Sequence, residues 1–335
     1  TDYGFHMAIT EFNDDVAADI PKVIEQGVSS FKCFMAYKDV LMVDDGQLIA
    51  VLETAGKHGG LVSVHAENGD MIDTLTKRFQ EAGTLDPEFH WLAHPAVAEA
   101  EAIQRAATLA RFADETLYIV HLSSADGLEA VREAKRKGTK IFAETCPQYL
   151  LLSADLYKEP NFEGAKYVMS PPIRPASHHE LMWEGIADGV IQTVATDHCP
   201  FNFVGQKDMG KGDFTKIPNG IAGLGDRFNL LYSYGVGKGR ISLNRFVDII
   251  ATAPAKLFGM YPQKGSIMPG ADADLVIFDP EAKMTISVDN QWHNVDYSAF
   301  EGFELEGLPE LVLLRGEVAV KDGEFLQEKG RGKFI

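Results

Sequence analysis

The sequence of 335 residues carries 31 lysines and arginines against 49 aspartates and glutamates, which gives a formal net charge of −18. Such a charge repels phosphate backbones, so we expect no nucleic-acid partner. No apolar run approaches the roughly 18 residues that a membrane helix needs, so we expect no membrane partner either. The three cysteines, Cys33, Cys146 and Cys199, are too few and too widely spaced for a disulfide framework. This favours a reducing, cytoplasmic location.

Short β-rich runs alternate with amphipathic helical patterns over most of the chain. The predicted strands, in chain order, are Tyr3–Ile9, Ser30–Met35, Leu61–Ala66, Leu117–Leu122, Lys140–Thr145 and Gln192–Thr196. The predicted helices are Asp15–Gln26, Gln47–His58, Met71–Ala82, Ala96–Phe112, Ala125–Lys137, His179–Asp188, Ile221–Tyr234 and Leu243–Phe258. This alternation predicts an α/β fold with a parallel sheet, either doubly wound or closed into a (β/α)8 barrel.

From about Gly265 the pattern changes to short strands separated by turn residues. These strands are predicted over Asp272–Phe278, Lys283–Val288, Glu310–Arg315 and Glu317–Lys321, with a break at Asp279-Pro280. We therefore divide the chain into an α/β body, residues 1–262, and a small β domain, residues 263–335.

Candidate functional residues stand near the ends of the predicted strands, where parallel α/β folds place their sites. Lys32 lies in the second strand, His65 and His121 end the third and fourth, and Asp197 follows the sixth. A buried ammonium group is costly, and a neutral amine can capture carbon dioxide and become an anionic ligand. Together the four residues predict a metal site.

Two further histidines, His90 and His94, are spaced as two residues on one helix face would be. Pro95 follows directly and interrupts such a helix, so a loop is predicted here. Neither histidine is assigned to the site.

Several motifs occur in a fixed order along the chain. They are FKCFMAYK around Lys32, VHAEN at 64–68, VHLSSADG from 120, AETCPQYL from 143, MSPPIR from 169, ATDHCPF from 195, KIPNG from 216 and ADADLVIFDP from 271. They resemble the cyclic amidohydrolases of the dihydropyrimidinase and D-hydantoinase type. The resemblance implies a TIM-type (β/α)8 barrel, of which this chain would hold strands 3 to 8, with a small β-sandwich domain. It also implies a homotetramer.

The same resemblance implies a metal-dependent mechanism. Carboxylated Lys32 would bridge two divalent metal ions, zinc or else manganese or cobalt. His65 and His121 would complete the shell of one metal, and Asp197 would bind the other. The implied reaction is hydrolysis of the ring amide of a hydantoin or dihydropyrimidine to an N-carbamoyl amino acid. Asp197 would act as general base and then as general acid.

Other residues would bind the substrate, a small cyclic ureide or imide. Tyr37 would donate a hydrogen bond to the developing oxyanion. Ser170 and Asn219 would hold the ring mainly through backbone groups. Phe34 and Leu41 would belong to a gate, formed by the loop from Met35 to Asp44, that meets the exocyclic substituent.

One feature of the family is missing. Its other metal ligands form a His-x-His pair on the first barrel strand, and no His-x-His occurs in this sequence. The first predicted strand resembles the family's third, so we expect this chain to be a portion of a longer polypeptide. The alternative is a short paralogue that has lost one metal.

Two other functions stay open at this stage. An allantoinase or dihydroorotase would share the chemistry, and the carboxylate of dihydroorotate would need an arginine, for which Arg174 is the nearby candidate. A non-catalytic scaffold of the collapsin response mediator type would share the fold without the metal ligands. Retention of all four predicted ligands speaks against the scaffold.

Overall fold

The computed structural model describes residues 1–335, which form two separate β-sheets. The larger, parallel sheet contains β1 His6–Ala8, β2 Ser30–Phe34, β3 Leu61–His65, β4 Leu117–Ile119, β5 Ile141–Thr145 and β6 Thr193–Val194. These strands are hydrogen-bonded neighbours in chain order. A doubly wound sheet reverses its order part-way, whereas a (β/α)8 barrel does not, so the barrel-type class is confirmed.

Helices follow the strands of this sheet, as the alternating pattern predicted. They are α1 Asp14–Glu25, α2 Asp45–Lys57, α3 Gly69–Ala82, α4 Glu88–Ala93, α5 Ala96–Phe112, α6 Ala125–Arg136, α7 Pro147–Leu151 and α8 His179–Ala187. After β6 come α9 Arg227–Leu231, α10 Leu243–Val247 and α11 Ala253–Leu257, with π-helical turns at Tyr232–Val236 and Asp248–Thr252. Short 3₁₀ turns lie at Ala154–Lys158, Glu163–Tyr167, Ala176–His178, Lys207–Gly210, Phe214–Lys216 and Val288–Asn290. No helix combines the length and the apolar character that crossing a membrane requires.

Polar N-cap residues begin the helices that follow the strand ends. The side chains of Asn13, Asn68 and Ser124 each accept a backbone N–H of the first turn of α1, α3 and α6. Asp44 and Gln47 form a reciprocal capping box at the start of α2. Because these caps stand between a strand end and its helix, they also fix the intervening loops, which carry the predicted site residues.

The main core lies between the parallel sheet and its helices. Phe31 and Cys33 of β2 and Val64 of β3 have no exposed surface, and they belong to one apolar cluster with Leu52 of α2 and Ile103 of α5. Almost every residue of β3 is buried, as expected for a strand that is covered on both faces. The sheet is therefore a rigid base for side chains at its carboxyl edge.

The second sheet is antiparallel and contains β7 Leu275–Thr285, β8 Glu304–Leu314, β9 Glu317–Lys321 and β10 Glu324–Phe325. Two strands predicted on either side of Asp279-Pro280 are one strand, β7, in which the register shifts between Asp279 and Lys283. Proline has no N–H for the ladder, so a bulge forms there and the strand continues beyond it. The prediction of a second, β-rich sheet in the last part of the chain is therefore confirmed.

Close packing joins the two parts. The ring of Tyr232 lies 4.3 Å from that of Phe278 in β7, and the Ser233 hydroxyl donates to the carbonyl of Glu306 in β8 at 2.9 Å. The division into residues 1–262 and 263–335 stays a prediction.

Candidate active site

Two histidine rings meet at the carboxyl edge of the parallel sheet. His65 is the last residue of β3, and His121 lies two residues beyond the end of β4. Nδ1 of His65 and Nε2 of His121 are 2.9 Å apart, and both side chains are buried. The predicted ligand pair therefore comes together with one nitrogen of each ring directed at the other.

The third predicted ligand, Lys32, lies in β2. This strand pairs with β3, which carries His65, and β3 in turn pairs with β4, which His121 follows. Its amine makes no hydrogen bond or ion pair and lies 5.2 Å from the centre of the Phe34 ring. Burial lowers the pKa of Lys32 to about 8, although the nearby charges of Asp197 and Glu144 favour its ammonium form. The amine is thus unpaired and more easily neutralised than an exposed lysine, as carbon dioxide capture requires.

Asp197 follows β6 by three residues and lies near enough to Lys32 and His65 for their charges to interact. Burial of its carboxylate raises its pKa, while the charges of Lys32 and His65 lower it. Asp197, His121 and Tyr37 have φ angles of 50°, 40° and 63°, in the left-handed region that residues other than glycine rarely adopt. Such backbone strain is concentrated at functional sites in proteins.

Tyr37 brings its hydroxyl to the same place. Its ring centre lies 5.1 Å from that of His65 and 6.0 Å from that of Phe34. Burial raises the pKa of Tyr37, the charge of Glu67 raises it further, and an interaction with the Ser170 side chain opposes this. The phenol therefore stays protonated at neutral pH and is able to donate a hydrogen bond.

The predicted gate is a tight turn built on one carbonyl. The carbonyl of Tyr37 accepts N–H groups from Val40, Leu41 and Met42 at 3.1, 2.9 and 3.2 Å. Leu41 is partly buried, whereas Val40 keeps 75% of its surface exposed. Phe34 forms a bridge with Met42 at the base of the turn. The turn is thus anchored to the end of β2, and its role as a substrate gate stays a prediction.

Ser170 and Asn219 lie on two chain segments that are bonded to each other. The N–H of Gly220 donates to the carbonyl of Val168 at 3.0 Å. The backbone N–H and C=O groups of Ser170 and Asn219 themselves have no partner within the chain. Unpaired backbone groups are able to bind a ligand, and the role of Ser170 and Asn219 in holding the substrate ring stays a prediction.

A buried carboxylate that the sequence reasoning missed lies behind the two histidines. Glu67 is fully buried, and its Oε2 accepts from Nε2 of His65 at 2.9 Å, while its Oε1 accepts from Nδ1 of His94 at 3.1 Å. Burial alone would raise the pKa of Glu67, but the His94 and His65 rings lower it well below the usual value. The motif VHAEN contained this residue, but nothing in the sequence indicated which ring it would contact.

The predicted loop is wrong at His90, whereas His94 lies outside a helix, in the bend between α4 and α5. Residues 88–93 form α4, which includes His90, and Pro95 ends this helix and is the N-cap residue of α5. His90 Nε2 donates to the carbonyl of Met169 at 2.7 Å. Both histidines are therefore buried parts of the surroundings of the site.

The guanidinium group of Arg174 binds buried residues around the two histidines. Its side chain is 2% exposed; it donates to the carbonyl of His94 and to the Ser123 hydroxyl, the latter at 3.0 Å, and lies 3.9 Å from Glu67. Glu99 in turn accepts from the N–H and the hydroxyl of Ser123 at 2.8 Å. An arginine held in this way does not present its guanidinium group to a substrate.

A second missed carboxylate, Glu144, comes from β5. It accepts from the Tyr118 hydroxyl at 2.8 Å, and burial raises its pKa. Its charge acts on Lys32. Glu144 was part of the motif AETCPQYL, but no spacing rule singled it out.

Away from these residues, three aspartates lie close enough together to hold a cation. Carboxylate oxygens of Asp2, Asp272 and Asp274 lie within 4.8 Å of one another. The amine of Lys264 already contacts all three, at 2.5 to 2.8 Å, and Arg315 pairs with Asp2. Lysine and arginine therefore neutralise this cluster, which ties the start of the chain to the β domain.

The donor set around Lys32 fits a metal ion. With Nε2 of His65 donating to Glu67, its Nδ1 carries the lone pair, as a ligand nitrogen must. Nδ1 of His121 is buried without a hydrogen-bond partner, so it is free to carry the ring proton and leave Nε2 as a ligand. Two imidazoles and an anionic oxygen ligand suit zinc, manganese or cobalt.

Comparison with known proteins identifies the group to which these features belong. A family model described as "Amidohydrolase family" matches residues 7–319. The chain belongs to the amidohydrolase family. A D-hydantoinase of Geobacillus stearothermophilus is 52% identical over 335 residues, which are 100% of this chain and 71% of that amidohydrolase. A D-hydantoinase of Streptomyces coelicolor is 46% identical over 99% of this chain and 71% of its own length.

Solved amidohydrolase structures share the fold. The dihydropyrimidinase from Brevibacillus agri NCHU1002 superimposes with a TM-score of 0.98 at 49% identity, over 100% of this chain and 73% of its own. The L-hydantoinase (dihydropyrimidinase) from Arthrobacter aurescens does so with a TM-score of 0.87 at 35% identity, over 95% and 70%. The chain therefore falls in the D-hydantoinase and dihydropyrimidinase branch of the amidohydrolases.

Proposed function

We propose that this chain is a metal-dependent hydrolase that opens the ring amide of hydantoins or dihydropyrimidines and yields N-carbamoyl amino acids. The observation that carries the proposal is the convergence of His65 Nδ1 and His121 Nε2 at 2.9 Å beside the unpaired amine of Lys32. This arrangement stands in a fold whose relatives are named D-hydantoinase and dihydropyrimidinase.

In this proposal carboxylated Lys32, His65 and His121 would hold one divalent metal ion. Carboxylated Lys32 and Asp197 would contribute to a second, for which the sequence contains no His-x-His pair. Metal ions bound there would lower the pKa of a water molecule and so supply a hydroxide nucleophile near neutral pH. Zinc as the metal, the homotetramer and the cytoplasmic location stay predictions.

Other residues of the site bind the ring, stabilise the oxyanion and transfer the proton. Backbone groups of Ser170 and Asn219 hold the ring so that its amide carbonyl faces the nucleophile. The hydroxyl of Tyr37 donates a hydrogen bond to the oxyanion that develops on this carbonyl. Asp197 accepts the proton of the attacking water and delivers it to the leaving ring nitrogen, while the ureido group stays intact.

The gate turn decides which exocyclic substituent is accepted. Phe34 and Leu41 supply apolar contacts at its base, and the exposed side chain of Val40 lies at its tip. A gate of this kind changes substrate preference without touching the reacting atoms.

The dihydroorotase alternative is disfavoured by the position of Arg174. A dihydroorotate carboxylate needs a free guanidinium group, and that of Arg174 is buried against His94, Ser123 and Glu67. The scaffold alternative is disfavoured by retention of Lys32 and both histidines in one place.

The proposal is tested by metal analysis together with product analysis on the purified, undialysed protein. We expect at least one metal ion per chain, held by Lys32, His65 and His121, and conversion of dihydrouracil or hydantoin to the N-carbamoyl acid. The matched control is Lys32→Met, which keeps an unbranched side chain of nearly the same length and removes the amine. A metal content near zero after growth with added metal, or a product cleaved within the ureido group, would contradict the proposal.

A further inference from the structure

Lys207 is unusual among the charged residues of the chain. Its side chain has no exposed surface, and no carboxylate lies within ion-pair distance of its amine. Fully buried lysines are rare unless an acidic group pairs with them. Burial lowers the pKa of Lys207 to about 7, and only the nearby Cys199 opposes this. Some specific contact must therefore offset the cost of burying the amine.

The contacts of this amine are two backbone carbonyls from distant parts of the chain. Nζ of Lys207 donates to the carbonyl of Val168 at 2.7 Å and to that of Pro218 at 3.0 Å. The Val168 carbonyl also accepts the N–H of Gly220 at 3.0 Å. Three hydrogen bonds thus join residues 168–170 to residues 218–220.

The contacts between residues 168–170 and 218–220 leave little room for either segment to move. A Cβ atom at Gly220 would lie 2.4 Å from the carbonyl oxygen of Cys199, so a third piece of chain packs directly on the same place. Nζ of Lys207 also lies 6.0 Å from the ring centre of Phe201. An apolar side chain in place of Lys207 would leave the Pro218 carbonyl without its donor, which is costly in a buried position.

These two segments carry the groups that are to hold the substrate ring. Ser170 is two residues from Val168, and Asn219 directly follows Pro218. We propose that Lys207 is a positioning residue that sets the separation of these two backbone segments and thereby the affinity of the site for the substrate ring. The inference rests on the proposed function, namely on Ser170 and Asn219 as the groups that bind the ring.

The test is steady-state kinetics of Lys207→Met with dihydrouracil and hydantoin. The expected result is a KM raised about tenfold with kcat within about twofold, because lost hydrogen bonds to the ring weaken substrate and transition state alike. Metal content should equal that of the wild type. Lys207→Gln keeps two N–H donors, and it should recover part of the lost affinity.

Lys135→Met is the matched control. The Lys135 amine donates to the carbonyl of Val190 at 3.0 Å, at the amino end of β6 and away from the site. Its loss removes a similar amine–carbonyl bond and should leave KM unchanged. An unchanged KM in Lys135→Met would show that loss of a lysine–carbonyl bond away from the site does not by itself raise KM.

The outcomes separate the two proposals. Wild-type protein that hydrolyses neither substrate contradicts the proposed function, whereas an active wild type with an unchanged KM in metal-loaded Lys207→Met contradicts only the positioning role. If that variant does not fold, a crystal structure of the wild type with a bound N-carbamoyl product is the alternative test of the positioning role. A product bound to the backbone of Ser170 and Asn219, with Lys207 still on both carbonyls, supports the role, and one held by other groups overturns it.

Discussion

Glu67 fixes the ring of His65, since its Oε2 accepts from Nε2 at 2.9 Å where the two side chains are 0% and 2% exposed. A carboxylate in this position sets which ring nitrogen carries the proton. It also makes the opposite nitrogen a better electron donor. Glu67 thereby connects the buried network of His94 and Arg174 to the proposed metal ligands.

Glu67→Gln should weaken metal binding. The amide preserves the shape of the side chain but removes the negative charge that faces His65, and changes of this kind cost about tenfold or more in metal affinity. Competition with a chelator of known affinity measures the effect. Glu99→Gln is the control, because Glu99 is equally buried but contacts Ser123 and Ser124 and neither ligand ring. Equal metal affinities in the two variants would remove Glu67 from this role.

Tyr37→Phe should reduce turnover and leave metal content unchanged. Loss of one oxyanion donor raises the barrier by about 2.7–4 kcal/mol, which is about a 10²–10³-fold fall in kcat. The Tyr37 ring lies 5.1 Å from that of His65, and phenylalanine preserves this contact. Single-turnover kinetics with metal analysis of the same sample provides the measurement. Unchanged turnover would exclude the hydroxyl from the reaction.

Metal uptake by the metal-free protein should depend on bicarbonate and on pH. Only the neutral amine of Lys32 captures carbon dioxide, and with a pKa of about 8 its neutral fraction grows as the pH rises through that value. We expect slow uptake in carbon dioxide-depleted buffer at pH 7, faster uptake at pH 9, and acceleration by added bicarbonate. Lys32→Met should show no response to bicarbonate. A wild type that responds no more than this variant would contradict carboxylation.

Asp226→Asn should change the pH dependence of stability. Asp226 is 1% exposed, its Oδ2 has no partner, and burial raises its pKa from 3.8 to about 6. Between these values the folded state holds more protons than the unfolded state, so the free energy of unfolding falls as the pH rises. Above pH 6 a pKa shift of this size lowers the free energy of unfolding by about 3 kcal/mol.

The asparagine variant lacks this titration. Its Tm should match that of the wild type near pH 4 and exceed it at pH 7, as thermal unfolding at both values measures. Parallel Tm curves for the two proteins would show that ionisation of Asp226 carries no such cost.

The sequence predicted the positions of the parallel strands because each is a compact apolar run. It placed Lys32, His65 and His121 together because neighbouring parallel strands bring their carboxyl ends to one edge. Glu67 was missed since a carboxylate two residues after His65 has no fixed direction. Its second partner, His94, lies 27 residues further along the chain.

Local signals also failed where tertiary contacts decide. Pro280 predicted the end of a strand, but pairing with β8 resumes at Lys283 and β7 continues. Pro95 predicted a loop, although it lies between two helices and begins the second. Lys207 had no distinguishing neighbours in the sequence, because both carbonyls that it binds belong to segments after β5 and after β6.

The carbonyl of Tyr37 accepts three N–H groups and so holds the gate turn, while the side chain of the same residue contacts His65. The anchor of the turn is main chain, so exchange of the side chains at Val40 or Leu41 leaves it in place. In the proposed mechanism this turn meets the exocyclic substituent of the substrate. Substitutions at the turn would then change the substrate range among descendants of this protein, while the phenol beside His65 keeps its position and the chemistry is unchanged.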